Sequence, residues 1–252
     1  MQGKPAAASD RLFMIRLYIP QPLSPGAALA PSLDQSRYLT QVMRLKAGDD
    51  LLVFNGQDGE WRCSVAEVLK RGVVLRAEER ARDQILPPDV ELLMAAVKKS
   101  PLEFAVEKAT ELGVRRIRLV RTERTQPQNL RLDRLETIAV ESAEQTGRMD
   151  VPDILAPEPL EAVLDGWNPD RRLMFCDETG GPPARVALPE AGGTAWGILI
   201  GPEGGFSPSE RQRLRELPFT TPVSLGPRVL RADTAATVAL ALWQASLGDW
   251  ER

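Results

Sequence analysis

The chain has 252 residues and a net charge of −3, with 43% hydrophobic and 27% charged residues. This composition is typical of a soluble globular protein with one large domain or two smaller ones. No apolar run approaches the roughly 20 residues that a transmembrane helix needs, which excludes a membrane-spanning protein.

The chain contains no histidine and only two cysteines, Cys63 and Cys176, which lie far apart. Without histidine there is no Ser-His or Cys-His catalytic pair, and the cysteine spacing is not that of a zinc site. We therefore predict no metal ion, no disulfide scaffold and a reducing, cytoplasmic location. Residues 1–10 lack the pattern of a secretory signal and are predicted to form a disordered tail.

Residues 11–84 are predicted to form a small β-barrel, because short apolar or alternating segments are separated by tight turns. One helix is predicted at 32–43. The predicted strands are 11–19, 50–54, 60–68 and 73–77. Such barrels commonly bind RNA, and Arg16, Arg37, Arg44 and Lys46 could contact phosphates, although each alone is more typical of an ordinary surface charge.

Residues 78–88 are charged and end in Pro87-Pro88, which is typical of a linker. A second domain is predicted at 85–252, where alternating strands and helices favour a mostly parallel sheet with helices on both faces. The predicted strands there are 91–97, 117–120, 173–176, 196–200 and 222–225. The predicted helices start at Ser100-Pro101, at 132, 160, Ser207-Pro208 and 234, and residues 177–193 are predicted to be a long loop.

Seven arginines lie between residues 115 and 134, against two acids, Glu123 and Asp133. A protein of net negative charge can still bind a polyanion through such a segment, because screening limits the reach of distant acids to about 8–10 Å. A charge run is also typical of a solvated protein face, and the run alone slightly favours that interpretation.

Two glycine-containing loops follow the last two predicted strands. They are Gly201-Pro202-Glu203-Gly204-Gly205 and Gly226-Pro227-Arg228-Val229-Leu230-Arg231. The first leads into a helix through a predicted capping box of Ser207 and Glu210, and the second through Asp233 as the predicted N-cap. Ligands bind at the carboxyl ends of strands in open α/β sheets, so a site containing Glu203 and Arg231 is predicted between these loops.

Neither loop matches a triphosphate P-loop or a dinucleotide-binding fingerprint. Two plain strand-to-helix turns could have a similar composition, and the residues alone name no ligand. The presence of both loops, each with a charged side chain, favours a binding site over a pair of turns.

Residues 200–207, Ile-Gly-Pro-Glu-Gly-Gly-Phe-Ser, and 224–235, Ser-Leu-Gly-Pro-Arg-Val-Leu-Arg-Ala-Asp-Thr-Ala, resemble two signature segments of a known family. This is the family of RsmE-type small-subunit ribosomal RNA uridine N3-methyltransferases, which belong to the SPOUT class. Residues 42–48, 98–113 and 144–152 resemble further segments of the same family, so the resemblance covers most of the chain.

The resemblance implies a SPOUT-like knotted, mostly parallel α/β sheet preceded by a PUA-like RNA-binding β-barrel, and it implies a homodimer. It further implies S-adenosylmethionine-dependent methylation of uracil N3 in ribosomal RNA of the small subunit. The cofactor-binding residues expected from it are Leu199, Ile200, Gly201, Gly204, Gly205, Leu225, Gly226, Val229, Leu230, Thr234 and Ala235. The expected RNA-binding residues are Arg16, Arg37, Arg44, Lys98, Lys99, Arg121, Arg124 and Arg148.

Arg231 and Glu203 are the expected catalytic residues. Arg231 would hydrogen-bond uracil O2 or O4, where negative charge spreads when N3 loses its proton. Glu203 would act as a base or hold the substrate or cofactor, and the alternative is that it caps backbone N–H groups of its own loop.

Family members usually carry a histidine near the position of Tyr38-Leu39, and its absence here argues against an essential role for it. Three other functions stay open from the sequence. They are methylation of another RNA position or a ribose 2′-hydroxyl, a non-catalytic RNA-binding ribosome assembly factor, and a small-molecule nucleotide enzyme. The identity of the modified nucleoside distinguishes the first, cofactor binding distinguishes the second, and the third leaves the basic segment and the barrel without a use.

Overall fold

The computed structural model describes residues 14–126 and 129–250. These residues form two compact units, of which the first ends at Leu86 but also includes Ala143–Asp150. The second unit contains Pro87–Ser142 and the chain from Val151 onward. The sequence-based boundary was placed after residue 84 with all later residues in the second domain, so the structural division differs at 143–150. The predicted tail and the first residues of the first predicted strand lie outside the described residues.

The first unit contains a five-stranded sheet in the order β1-β3-β4-β5-β2, with β1 parallel to β3 and the other pairs antiparallel. Its strands are β1 (Arg16–Tyr18), β2 (Ala28–Leu29), β3 (Asp50–Phe54), β4 (Glu60–Leu69) and β5 (Gly72–Arg82). Leu17, Leu51 and Leu75 contribute to its buried core. Because β5 continues to Arg82, the predicted linker at 78–88 is too long, and its first five residues are strand.

The two edge strands of this sheet are joined by one side chain. The amide of Gln21 donates to the carbonyl of Ala30 at 2.8 Å and accepts from the Ala30 N–H at 3.1 Å. Gln21 follows β1 and Ala30 follows β2, so this pair of bonds links the two segments that leave the edge strands.

The helix of the first unit, α1 (Leu33–Arg37), starts in a capping box formed by Ser32 and Gln35 and continues into a π-helical turn, Tyr38–Val42. Leu39 in this turn is fully buried in the core of the unit. The predicted helix at 32–43 therefore forms, although its second half has π-helical geometry.

The second unit contains a six-stranded, entirely parallel sheet in the order β11-β9-β10-β6-β7-β8. Its strands are β6 (Asp89–Ala95), β7 (Arg116–Arg121), β8 (Asp153–Pro159), β9 (Arg172–Cys176), β10 (Ala195–Ile200) and β11 (Thr220–Val223). The flanking helices are α2 (Lys99–Glu111), α3 (Leu132–Thr146), α4 (Leu160–Asp165), α5 (Ala184–Ala191), α6 (Pro208–Glu216) and α7 (Ala232–Leu247). Strand β10 and residues Leu92–Ala95 of β6, the two central strands, are continuous apolar runs, as expected for strands that are covered on both faces.

Several elements differ from the sequence-based predictions. Helix α5 lies inside the predicted loop 177–193, because Ala184, Ala187 and Leu188 form a short buried face between Pro183 and Gly192. Strand β8 was missed. Helix α2 begins at Lys99, so its N-cap is Lys98 and Ser100 lies within the first turn.

The start of α7 also differs. Its N-cap is Arg231 rather than Asp233, and no side chain caps it. The Asp233 carboxylate instead accepts from the N–H of the next residue, Thr234, at 2.7 Å. The helix therefore starts two residues earlier than predicted, which places Arg231 at the boundary between loop and helix.

Candidate functional site

A cavity of about 450 Å³ lies at the carboxyl ends of β9, β10 and β11. These three strands are neighbours in the sheet, with β9 between the other two. After β10 the chain passes β9 to reach β11, so the loops that leave β10 and β11 lie on either side of the loop that leaves β9. Such a crevice, where successive connections diverge, is the usual ligand site of an open parallel sheet.

Nine of the eleven predicted cofactor-binding residues line this cavity, as do Glu203 and Arg231. The nine are Ile200, Gly201, Gly204, Gly205, Leu225, Gly226, Val229, Leu230 and Ala235. The other two do not line it: Leu199 is fully buried in the core of the sheet, and Thr234 is an exposed residue of α7.

The loop after β10 is shaped by tight packing around its glycines. The Gly205 N–H donates to the Pro202 carbonyl at 2.9 Å, and Gly205 has a φ of +64°. A Cβ at Gly201 would lie 2.7 Å from the ring of Phe206, which packs edge-on against Phe175. The loop therefore requires glycine where the chain turns and where it meets Phe206.

The first helical turn after this loop matches its prediction. The Ser207 hydroxyl accepts from the Glu210 N–H at 3.1 Å, and the Glu210 carboxylate accepts from the Ser207 N–H at 2.9 Å. The second oxygen of Glu210 also accepts from the N–H of Glu123 at 2.8 Å. The capping box thus fixes both α6 and the loop that follows β7.

The loop after β9 forms the third wall of the cavity, and the sequence analysis did not identify it. Asp177 and Glu178 line the cavity, and the Asp177 carboxylate is fully buried. Burial opposes its charge, but hydrogen bonds from the backbone and hydroxyl of Thr179 and from Arg215 outweigh burial and lower the pKa of Asp177. The signal was available, because these two acids directly follow a buried apolar strand.

Helix α6 holds this third loop in place through two arginines. Arg215 donates to the Asp177 carboxylate at 2.7 Å and to the Gly180 carbonyl at 3.0 Å. Arg211 donates to the Glu178 carboxylate at 2.8 Å. A Cβ at Gly205 would lie 2.5 Å from that carboxylate, so the loops after β9 and β10 also touch each other.

The polar side chains that face the cavity differ in how they are engaged. Among the described residues, no hydrogen-bond or ion-pair partner is found for the side chains of Glu203, Arg228 or Arg231, and all three are exposed. These groups are available to a ligand.

Burial raises the pKa of the Cys176 thiol, so this cavity-lining cysteine stays protonated and is a poor nucleophile.

Two of the eight predicted RNA-binding cations have structural roles. Arg16 is paired with buried Glu60 at 2.7 Å and donates to the carbonyls of Ala143, Glu144 and Arg148. Arg148 is nine-tenths buried and paired with Asp150 at 2.7 Å. Neither guanidinium is free to meet a phosphate, because its donors are already engaged within the first unit.

The other six predicted cations are exposed. Arg124 donates to the Gly204 carbonyl at 3.0 Å, and Arg121 donates to the Pro157 carbonyl at 2.7 Å. Both lie at the carboxyl end of β7, while Lys98 and Lys99 follow β6 at the same edge of the sheet. Arg37 and Arg44 lie in the first unit, and Arg44 has a φ of +57°.

Within the described ranges, no cluster of three or more His, Cys, Asp or Glu side chains is arranged to hold a metal ion. Nor does any helix in the same ranges have the length and apolar character needed to cross a bilayer.

Comparison with known proteins identifies relatives along nearly the whole chain. A family model described as an RNA methyltransferase domain matches residues 84–244, and one described as an RNA methyltransferase PUA domain matches residues 32–78. The chain is 34% identical to the ribosomal RNA small subunit methyltransferase E of Synechocystis sp., over 82% of this chain and 69% of the relative. It is 29% identical to the protein of that name from Rickettsia conorii, over 90% and 93%.

Solved structures show the same similarity. The ribosomal RNA small subunit methyltransferase E from Neisseria gonorrhoeae, bound to S-adenosyl methionine, has a TM-score of 0.84 at 27% identity, covering 94% of this chain and 99% of that one. A Legionella pneumophila protein in complex with the bound cofactor SAM has a TM-score of 0.83 at 30% identity, with the same coverage.

Proposed function

The chain belongs to the family of the small-subunit ribosomal RNA methyltransferases E, and from this membership we propose that it methylates N3 of a uridine in small-subunit ribosomal RNA with S-adenosylmethionine as the methyl donor. The observation that carries the proposal is the cavity formed by three loops at the carboxyl edge of the parallel sheet.

The residues of the cavity fit S-adenosylmethionine. Its volume of about 450 Å³ is in the range of small-molecule sites. Ile200, Leu225 and Leu230 offer apolar contacts for the adenine, and the carboxylates of Glu178 and Glu203 suit the ammonium and sulfonium charges. When bound, S-adenosylmethionine supplies an electrophilic methyl group.

We propose that Arg231 stabilises the uracil. Its guanidinium is exposed and unpaired within the described chain, and it stands at the N-terminus of the 16-residue helix α7. A guanidinium and a helix N-terminus both favour negative charge. We infer that Arg231 donates to uracil O2 or O4 and so favours loss of the N3 proton.

Glu203 is the proposed acceptor of that proton or a hydrogen-bond partner of the uracil edge. It lines the cavity, and its carboxylate makes no hydrogen bond to its own loop anywhere in the described chain. The alternative role of capping its loop is therefore not supported. The target base has to leave its stack to expose N3, so a flipped base or a single-stranded loop is the expected substrate.

The flanking RNA is proposed to follow the carboxyl edge of the sheet. Lys98 and Lys99 follow β6 at this edge. Arg121 is the last residue of β7 and Arg124 follows it, and all four cations are exposed. Phosphate contacts from such cations position RNA without reading its sequence. Arg16 and Arg148 are not included, because their donors are engaged elsewhere.

We also propose that the second domain is knotted and that the protein acts in the cytoplasm, where its proposed substrate is made.

We further propose that the protein is a homodimer. The exposed apolar side chains of Val229 and Trp250, 84% and 54% accessible, support a protein contact. Light scattering should give twice the monomer mass of 27.8 kDa. A monomeric mass at micromolar concentration would contradict the dimer.

The reaction is tested with labelled S-adenosylmethionine and small ribosomal subunits that lack the modification, followed by nucleoside analysis of the digested RNA. Label in N3-methyluridine is the expected result. Label in another nucleoside would retain the methyltransferase and overturn the N3 assignment. If S-adenosylmethionine binds neither in calorimetry nor in this assay, the enzymatic proposal is wrong and an assembly factor is favoured.

A further inference from the structure

A second cavity, of about 340 Å³, lies entirely within the first unit. One wall is the face of α1 and its π-helical turn that carries Arg37 and Gln41, and the other is the hairpin between β4 and β5. Its apolar lining comes from Leu33 and Leu69, which are 59% and 48% exposed. The packing of the unit alone does not account for two leucines that remain this accessible beside a cavity.

The walls of this cavity are held together by hydrogen bonds. The buried Ser36 hydroxyl accepts from the Val73 N–H at 3.2 Å, which ties the helix to the strand after the hairpin. The Thr40 hydroxyl donates to the Ser36 carbonyl at 2.8 Å. The neighbouring turn is π-helical, a geometry that occurs frequently at functional sites. The cavity is therefore preformed.

The charge of the lining is uniformly positive. Arg37, Lys70 and Arg71 line the cavity, and no acidic residue is among its lining residues. Arg37 forms an ion pair with Asp34 at 3.4 Å, and both side chains are highly exposed. Solvent-exposed pairs of this kind contribute little, so Arg37 is available to another anion.

The turn chemistry does not explain the two cations of the hairpin. Leu69 pairs with Gly72, so Lys70 and Arg71 are the two central residues of a two-residue turn. Such turns favour Asn-Gly or another pair with positive φ, and among the described non-glycine residues only Arg44 has a positive φ. Adjacent like charges also repel each other. Because neither the turn geometry nor the charge repulsion favours Lys70 and Arg71 here, the pair indicates a function at this hairpin.

We propose that this cavity binds one unstacked nucleotide of single-stranded RNA, with the base against Leu33 and Leu69 and the flanking phosphates on Arg37, Lys70 and Arg71. Apolar contact with a base combined with cations along the backbone is the usual way that proteins hold single strands. That this site contacts the ribosomal RNA substrate rests on the proposed function. That it binds single-stranded RNA does not depend on the proposed function.

The test uses the full-length protein and a fluorescein-labelled ten-nucleotide oligouridylate, whose binding is followed by anisotropy at several salt concentrations. The double variant K70A/R71A should bind at least about ten-fold more weakly, and its salt slope should fall by about 1.4, or 0.7 for each lost phosphate contact. The double variant L33A/L69A, which removes the apolar contacts without changing the charge, should also bind more weakly. The matched control is Arg76→Ala, because Arg76 is exposed on the same strand β5 but does not line the cavity.

Each outcome decides the proposal. If K70A/R71A binds the oligonucleotide as tightly as R76A does, the cations are not an RNA site. If L33A/L69A retains wild-type affinity, no base contacts the two leucines and the proposal is wrong. In methyl transfer to unmodified subunits, the double variant should raise KM and leave kcat and the Kd of S-adenosylmethionine unchanged. Absence of all methyl transfer in the wild type would overturn the proposed function, while the anisotropy result would still decide the RNA site.

Discussion

Arg231 occupies the N-cap of α7, a position where Ser, Thr, Asp or Asn usually satisfies a free backbone N–H. Its side chain makes no such bond, so the helix gains nothing from it. We therefore expect the Arg231 side chain to act on a ligand in the cavity that it lines.

Replacing Arg231 by Ala should lower kcat by about 10²–10³-fold, the usual effect of removing one donor to a developing negative charge. The Kd of S-adenosylmethionine and the unfolding midpoint should change little, because the side chain caps no N–H. Steady-state methyl transfer measures kcat, titration calorimetry measures the Kd, and thermal unfolding measures the midpoint. Arg185→Ala, an exposed arginine of α5 outside the cavity, is the matched control, and unchanged turnover in R231A would remove Arg231 from the mechanism.

Glu60 shows that a glutamate can have a structural role, in contrast to the role proposed for Glu203. It is 1% exposed and lies between Arg16, at 2.7 Å, and Arg82, at 2.8 Å. Burial opposes its charge, but hydrogen bonds and attraction from both arginines outweigh it and lower the pKa of Glu60. Because the folded pKa is below the unfolded one, this stabilisation is present above about pH 4.3 and is lost as the pH falls through the folded pKa.

Replacing Glu60 by Gln should reduce the free energy of unfolding at pH 7 by about 3–5 kcal/mol, because two guanidinium groups lose their buried counter-charge. The difference between wild type and variant should shrink as the pH falls from about 4.3, the pKa of an unfolded glutamate, through the lower pKa of Glu60 in the folded protein. Urea unfolding between pH 7 and pH 3 measures both values. A difference that does not depend on pH would contradict the ion pairs.

At the scale of elements, the site depends on a helix that contributes no lining residue. Arg211 and Arg215 of α6 hold Asp177 and Glu178, so α6 fixes the wall of the cavity that follows β9. The capping box of α6 at the same time shapes the loop after β10. One short helix therefore supports two of the three loops.

Replacing Asp177 by Asn should lower the affinity for S-adenosylmethionine several-fold and destabilise the protein by up to about 3–5 kcal/mol, because the charge that pairs with both arginines is lost. Calorimetry and urea unfolding measure these effects. Asp170→Asn, an exposed aspartate before β9, is the control. A variant that binds the cofactor as the wild type does would show that the loop after β9 is held by other contacts.

Local pattern predicted most of these elements because the apolar runs of β6, β9 and β10 and the Ser207-Glu210 capping box are short-range signals. Glu203 and Arg231 were placed in one site because strand ends of a parallel sheet share an edge. The start of α7 was misplaced because Asp233 matches the capping preference but bonds to Thr234 instead.

At the scale of the molecule, long-range pairing is what the sequence did not reveal. Arg16 was predicted to meet RNA, and its partners are Glu60 and the carbonyls of Ala143–Arg148, more than 120 residues away. The same contacts place Ala143–Asp150 in the first unit. Neither periodicity nor composition signals such a return of the chain. The trefoil knot is also a non-local feature, and it stays a prediction.

A fragment that ends at Leu86 should therefore be less stable than the first unit of the intact protein. In the fragment, Arg16 loses three carbonyl acceptors, the Tyr18 N–H loses the Glu144 carboxylate and Arg82 loses the Gly147 carbonyl. Thermal unfolding should show a lower midpoint, which a synthetic peptide of residues 143–150 should raise. A scrambled peptide is the control, and a fragment that is insensitive to the native peptide would contradict this account.

The same return of the chain has a consequence during translation. Arg16, Glu60 and Arg82 leave the ribosome well before the carbonyls of residues 143–148 are synthesised. At 5–20 residues per second, the interval from residue 82 to residue 148 lasts roughly 3–13 s. Throughout that interval the nascent barrel carries a half-assembled cluster of one acid and two guanidinium groups. Its folding is completed only after much of the second domain has been made, so the order of synthesis is not the order in which the two domains are finished.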